Sequence, residues 1–164
     1  MKEPIHTISI LVANKPGVLV RVALVFARRG YNIDSLVVSP SFNPKFSRMT
    51  ITAKGSLEML EQIIKNVSKL VDVIHASEHD SSHVVDRELA LIKMKDTPAI
   101  KAAIVQYSKK YHAKIVDTMD KTLIIAQSGA TAELDELEAL LKKLGVLEYV
   151  RSGKLLMARG KEQT

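Results

Sequence analysis

Apolar positions along the 164-residue chain recur with two alternating periods, and the changes of period mark out its elements. His6 to Ala13 alternates and is rich in β-branched side chains, which predicts a strand. From Val18 the spacing becomes helical: Leu19, Val22, Ala23, Val25 and Phe26 recur on one side, and Arg21, Arg28 and Arg29 lie on the other. Asn14 to Gly17 is then a tight strand-to-helix turn. Pro16 suits the first helical turn, where its missing N–H costs nothing, and Gly30 suits a left-handed helix C-terminus. A second strand is expected over Tyr31 to Ser39, a loop at Pro40 to Pro44, and a third strand from Ser47 to Ala53. Ser56 is a candidate N-cap for a helix with Leu57, Leu60, Ile63, Ile64 and Val67 on one face. Leu70 to Ala76 completes a β-α-β-β-α-β order, and Ser77 to His83 is polar, without period, and reads as a linker.

The second half repeats that order. Arg87 to Met94 reads as a strand, and Thr97-Pro98 as a cap and first-turn pair opening a helix with Ile100, Ala103, Ile104 and Tyr107 inward. Lys114 to Thr118 and Thr122 to Gln127 are strands joined by a turn at Asp120-Lys121. Thr131 is the expected cap of a leucine-rich helix that ends at Gly145. Leu147 to Arg151 is a strand, with Lys154 to Ala158 as a further hairpin partner. The fold class is α+β: two ferredoxin-like βαββαβ sandwiches in tandem, spanning 1–78 and 85–164 with a linker at 79–84.

Length agrees with two domains of about 80 residues. Without cysteine, disulfides, thiolate catalysis and thiolate metal sites are excluded. No apolar run approaches the roughly 20 residues of a membrane span, and Met1-Lys2-Glu3-Pro4 lacks a signal-peptide core; no membrane association and a cytoplasmic location are expected. The net charge of +6 would suit nucleic acid. Its basic residues are scattered, however, and the strands where an RNA-recognition fold stacks bases, Ile8 to Ala13 and Arg48 to Ala53, carry no aromatic ring. No nucleic-acid partner is expected. His75, His79 and His83 are four apart, a spacing that serves a metal on a helix, but here they fall at a strand end and in a polar segment. No acid pair, nucleophile–base spacing or glycine-rich phosphate loop appears. The expectation is a chain with no catalytic residue, no metal site and no cofactor of its own.

The chemistry that remains sits in the Asn14–Leu19 turn. The amides of Gly17, Val18 and Leu19 have no intrahelical acceptor, and the helix dipole adds partial positive charge there. A glycine lets a small carboxylate approach the main chain. The plainer alternative is that Asn14 only caps the helix and Gly17 only relieves a turn.

Seven stretches taken together resemble a known family. They are Asn14 to Leu19, Phe26 to Leu36, Ser47-Arg48-Met49, Lys69 to Val73, Asp86 to Lys93, Ile115-Val116-Asp117 and Val150 to Gly153, with Gly30-Tyr31-Asn32-Ile33 at the heart of the second. The chain is similar over nearly its whole length to the regulatory (small) subunit of acetolactate synthase (acetohydroxyacid synthase), whose first half is an ACT domain. One departure is Tyr111-His112-Ala113-Lys114, where the family has a Phe-Arg-Gly lead-in before Ile115. The resemblance implies a homodimer that activates the catalytic (large) subunit and confers feedback inhibition by valine or another branched-chain amino acid. It implies that Asn14, Lys15, Pro16, Gly17, Val18 and Leu19 form the effector-binding turn, and that Asn32 and Ile33 complete it from the other protomer. Thiamine diphosphate, Mg²⁺ and FAD are expected on the catalytic subunit. The competing expectation is a free-standing ACT-type amino-acid sensor acting on another enzyme or regulator.

Overall fold

The computed structural model describes residues 4–161 and 164. Contacts divide the described residues into two units, one running to Val85 and resuming at Lys154, the other spanning Asp86–Gly153.

The first unit contains β1 (Ile5–Ala13), α1 (Val18–Ala27), β2 (Ser35–Pro40), β3 (Phe46–Lys54), α2 (Leu57–Val67) and β4 (Val73–Glu78). Its antiparallel sheet has the order β2-β3-β1-β4, so β2 and β4 are edges. The period-two pattern places Ile8, Ile10, Val12, Met49, Ile51 and Ala53 on the helical side, where they meet Val22, Phe26, Leu60, Ile63 and Val67. Each fully buried side chain of this size contributes about 1.5–3 kcal/mol. Ser56 caps α2 as expected, accepting from Met59 N–H at 3.2 Å.

Three boundaries differ from the sequence reading. Strand β2 starts at Ser35, because Tyr31 to Asp34 are taken up in closing α1. Gly30 holds φ 71°, Gly30 N–H donates to Ala27 O and Tyr31 N–H to Phe26 O, a Schellman arrangement. Tyr31 and Ile33 are apolar because they pack on the core beneath the helix end, which mimics strand alternation. Strand β4 begins at Val73, since Leu70 and Val73 are still in turn hydrogen bonds after α2. The polar run Ser77–His83 is structured: Ser77 and Glu78 pair with Ser9 and Ile8, His79 N–H donates to Thr7 O, and Asp80 caps a 3₁₀ turn at Ser81–His83.

The second unit is built on β5 (Val84–Lys95), α3 (Pro98–Tyr111), β6 (Lys114–Met119), β7 (Thr122–Gly129), α4 (Thr131–Lys142) and β8 (Val146–Arg151), with sheet order β6-β7-β5-β8. Ala90, Ile92, Met94, Leu123 and Ile125 pack on Ile100, Ile104, Leu134, Leu137 and Leu141. Thr131 does not cap α4. The cap position is Ala130, whose N–H is taken by the Glu133 carboxylate at 2.8 Å. The Thr131 hydroxyl instead donates to Glu88, which is 5% exposed and also accepts from Arg151 Nε. Arg151 continues to Asp135 at 2.6 Å. Burial works against the Arg151 charge, but Glu88 and Asp135 outweigh it and hold its pKa above the ordinary value. The last strand, β9 (Leu155–Ala158), pairs with β5 and not with β8, and Arg159 bonds the carbonyls of His83 and Val84. Residues from Lys154 onward therefore group with the first unit, whereas the sequence reading kept 85–164 together.

Candidate functional site

The turn between β1 and α1 is a type II β-turn over Lys15-Pro16-Gly17-Val18. Val18 N–H closes it on Lys15 O at 3.4 Å, and Gly17 at the third position holds φ 81°, ψ −9°. Pro16 thus presets the second position of a turn and lies ahead of the helix, not in its first turn. Asn14 does not cap the helix either. Its side-chain amide donates to Pro44 O at 3.0 Å and its N–H to Lys45 O at 2.8 Å. The N-cap is Gly17, with no side-chain cap bond. The first intrahelical bond runs from Arg21 N–H to Gly17 O, so the amides of Leu19 and Val20 lie ahead of it. Of the three amides expected to be open, that of Val18 is committed to Lys15.

Asn14, Lys15, Pro16, Gly17 and Leu19 are exposed, while Val18 is buried and gives its side chain to the core. Arg21 was missed by the sequence reading. It stands one turn beyond Gly17, and its guanidinium would lie 3.3 Å from a Cβ added there. Asp72 meets Arg21 at 2.5 Å and fixes it over the turn. The i, i+4 spacing from Gly17 to Arg21 was the available signal.

Asn32 and Ile33 are not brought to this turn within one chain. Asn14 bonds Lys45 at the start of β3, whereas Asp34, two residues past Asn32, bonds Thr52 near its end. Seven residues of strand separate those anchors by more than about 20 Å. Asn32 is exposed and donates to Asp34 at 3.1 Å, and with Tyr31, Lys54, Gly55 and Met59 it lines a shallow cleft of about 540 Å³. Ile33 packs on the core.

The corresponding turn of the second unit, between β5 and α3, is closed by its own side chains. Thr97 accepts from Ile100 N–H at 3.3 Å, and the Asp96 carboxylate sits beside the helix start, paired with Lys101 at 2.8 Å. A second anion would meet a carboxylate already in place.

Among the histidines, His6 Nε2 donates to Gly55 O at 3.0 Å and its Nδ1 lies 2.8 Å from Glu78. His79 Nε2 lies 2.6 Å from Ser9 Oγ, a nucleophile–base distance. Ser9 is only 1% exposed in a central strand, so the pair ties β1 to the segment after β4 and is sealed from a substrate. Among the described residues no cluster of three or more metal-ligating side chains occurs, and no helix is long and apolar enough to cross a membrane.

Comparison with known proteins separates the meanings such a turn can carry. Residues 8–75 match the family described as the AHAS small subunit-like ACT domain, and residues 87–160 match the small subunit of acetolactate synthase. The chain belongs to the acetolactate synthase small-subunit family. It is 40% identical over 158 residues to a probable acetolactate synthase small subunit of Archaeoglobus fulgidus, covering 96% of this chain and 99% of that one. It is 38% identical over 160 residues to the acetolactate synthase small subunit of Mycobacterium bovis, covering 98% and 95%. The crystal structure of the small subunit from Thermotoga maritima superposes with a TM-score of 0.85 at 38% identity over 97% of this chain and 99% of that one. The fold is accordingly the tandem arrangement expected, with an ACT domain first, and association with a catalytic subunit follows from the family.

Proposed function

We propose that this chain activates the catalytic subunit of acetolactate synthase and makes it sensitive to valine or a related branched-chain amino acid held at the β1–α1 turn. The observation that carries the reading is the uncapped helix start at Gly17 in a chain of this family. Its glycine admits the ligand's carboxylate to the main chain, and Arg21 adds positive charge partly offset by Asp72.

Energetics favour a site shared by two copies. Micromolar binding needs about 8 kcal/mol. Burying an isopropyl group gives roughly 1.5–3 kcal/mol, and a carboxylate at a helix start at most about 2 kcal/mol. One exposed turn falls short. Two-fold pairing of the edge strand β2 with its copy supplies a second wall. Antiparallel pairing sets the Ser35 end of one strand beside the Pro40 end of the other. The Gly30–Asp34 loop precedes Ser35, and the hairpin after Pro40 bonds Asn14. The same operation therefore carries Asn32 and Ile33 of one protomer toward the Asn14–Leu19 turn of its partner. Val38 on that strand, and Val20 and Leu24 on α1, are exposed apolar side chains available to such a contact. A ligand between two protomers favours one dimer arrangement, and the catalytic subunit feels that difference.

The test is acetolactate formation by a cognate catalytic subunit with and without this chain, titrated with valine, leucine and isoleucine. The expected result is a rise in activity on adding the chain and a fall with at least one of the amino acids. No change in activity on adding the chain rules the reading out.

A further inference from the structure

The helix-free face of the first sheet carries a cation without a partner. Met49, Ile51 and Ala53 of β3 point to the helices, so Arg48, Thr50 and Thr52 point the other way. Strand register extends this alternation into rows across the sheet. Ser39, Arg48, Leu11 and His75 form one row, and Val37, Thr50, Ser9 and Ser77 the next. A third row holds Ser35, Thr52 and Thr7. These rows are rich in hydroxyls and contain no carboxylate. Arg48 Nη1 is shut off from solvent with no hydrogen-bond partner, although the residue as a whole is partly exposed. Among the described residues, Arg21 and Arg151 meet carboxylates and Arg29 meets Gln62, whereas Arg48 takes part in no ion pair. A charged donor withdrawn from water and left unpaired works against folding. Arg48, the middle residue of the Ser47-Arg48-Met49 triplet, is therefore not explained by stability, and the effector turn does not use it. His75 is exposed, and among the described residues its ring is bonded to no other side chain. It faces Leu11 from β4 as Arg48 does from β3, so the two flank Leu11 about 10 Å apart, two strand spacings.

We propose that Arg48 and His75 bind a phosphate-like oxyanion over Leu11, on the helix-free face of the first sheet. The guanidinium fork offers parallel N–H donors that match the oxygens of such an anion. The imidazole of His75 adds a donor from the opposite side, and the exposed Ser39 hydroxyl closes the row beside Arg48. With no carboxylate on this face, no internal anion competes for the guanidinium. The site is separate from the Asn14–Leu19 turn, which leads onto the helical face, and it stands without the function proposed above.

The experiment titrates the full chain with inorganic phosphate by calorimetry, in chloride buffer of constant ionic strength, and repeats it with a simple phosphate monoester. Saturable binding of one phosphate per chain is expected in the wild type. Arg48→Met is expected to weaken it at least about tenfold. Arg48→Lys, which keeps the charge and loses the fork, is expected to fall between the two, and His75→Ala to weaken binding severalfold. Equal affinity for the monoester supports a site for the phosphate group alone, and tighter monoester binding supports the same site reading a larger phosphorylated molecule. Thermal melting separates this role from a structural one. In phosphate-free buffer Arg48→Met is expected to melt no lower than the wild type, and added phosphate is expected to raise the wild-type melting temperature more than that of the variant. Absence of saturable binding in the wild type, or wild-type affinity in Arg48→Met, overturns the site. A markedly lower melting temperature of Arg48→Met without phosphate overturns it by showing that the guanidinium holds the fold. A smaller mass of the Arg48→Met chain by light scattering overturns it by assigning the cation to a contact between copies. Loss of phosphate binding in Gly17→Asp overturns it by moving the anion to the start of α1.

Discussion

Gly17 is where backbone conformation and the proposed ligand chemistry meet. Its φ of 81° costs an L side chain about 1–2 kcal/mol, and any Cβ there would press on the Arg21 guanidinium. Gly17→Asp should therefore melt somewhat lower yet stay folded, and should give no heat with valine because its carboxylate occupies the ligand's place. Unchanged affinity would remove Gly17 from the site. A second residue reports on the other unit. Burial, with Glu138 adding, pushes the Tyr149 phenol up to about 12, against about 10 in the unfolded chain. Between those values the unfolded state has released a proton that the folded state keeps, so stability falls as pH rises from 10 toward 12. Denaturant titrations across that window should show a shallower fall in Tyr149→Phe than in the wild type. At this scale the turn was readable as a string of residue types, since its left-handed position favours glycine. The partners of Asn14 and Thr131 were not readable, because they are a carbonyl and a carboxylate that arrive from 30 and 43 residues away.

At the scale of elements, the β6–β7 hairpin carries an evident strain. Asp120 and Lys121 both have positive φ, 50° and 60°, the signature of a tight two-residue turn that prefers Asn-Gly. Lys121→Gly relieves the left-handed side chain at some entropic cost, for a net gain of about 0.5–1 kcal/mol, and thermal melting should shift upward by a few degrees. A lower melting temperature would mean that Lys121 makes contacts outweighing its strain. Helices and central strands were legible because their periods survive in the sequence, as Leu60, Ile63 and Val67 or Ile8, Ile10 and Val12 illustrate. Connections were less legible. Tyr31 and Ile33 alternate like a strand while covering the end of α1, and Ser77-Glu78 look like a linker while pairing in β4. In both places polarity follows what covers the chain locally, not the hydrogen bonds of its backbone.

For the whole molecule, an exposed β2 edge carrying Val38, with Val20 and Leu24 exposed on α1, calls for a partner copy. The double variant Leu24→Glu, Val38→Lys should halve the mass seen by light scattering at micromolar concentration and abolish valine heat together with it. A wild-type chain that is already monomeric would exclude the shared site. The second unit adds a constraint of a different kind. With Thr97 and Asp96 filling the head of α3, only the first unit offers the proposed effector turn despite the duplicated architecture. The calorimetric stoichiometry should approach one amino acid per polypeptide, and replacing Asp96 and Thr97 by glycine offers a way to ask whether the silent half can be taught to bind.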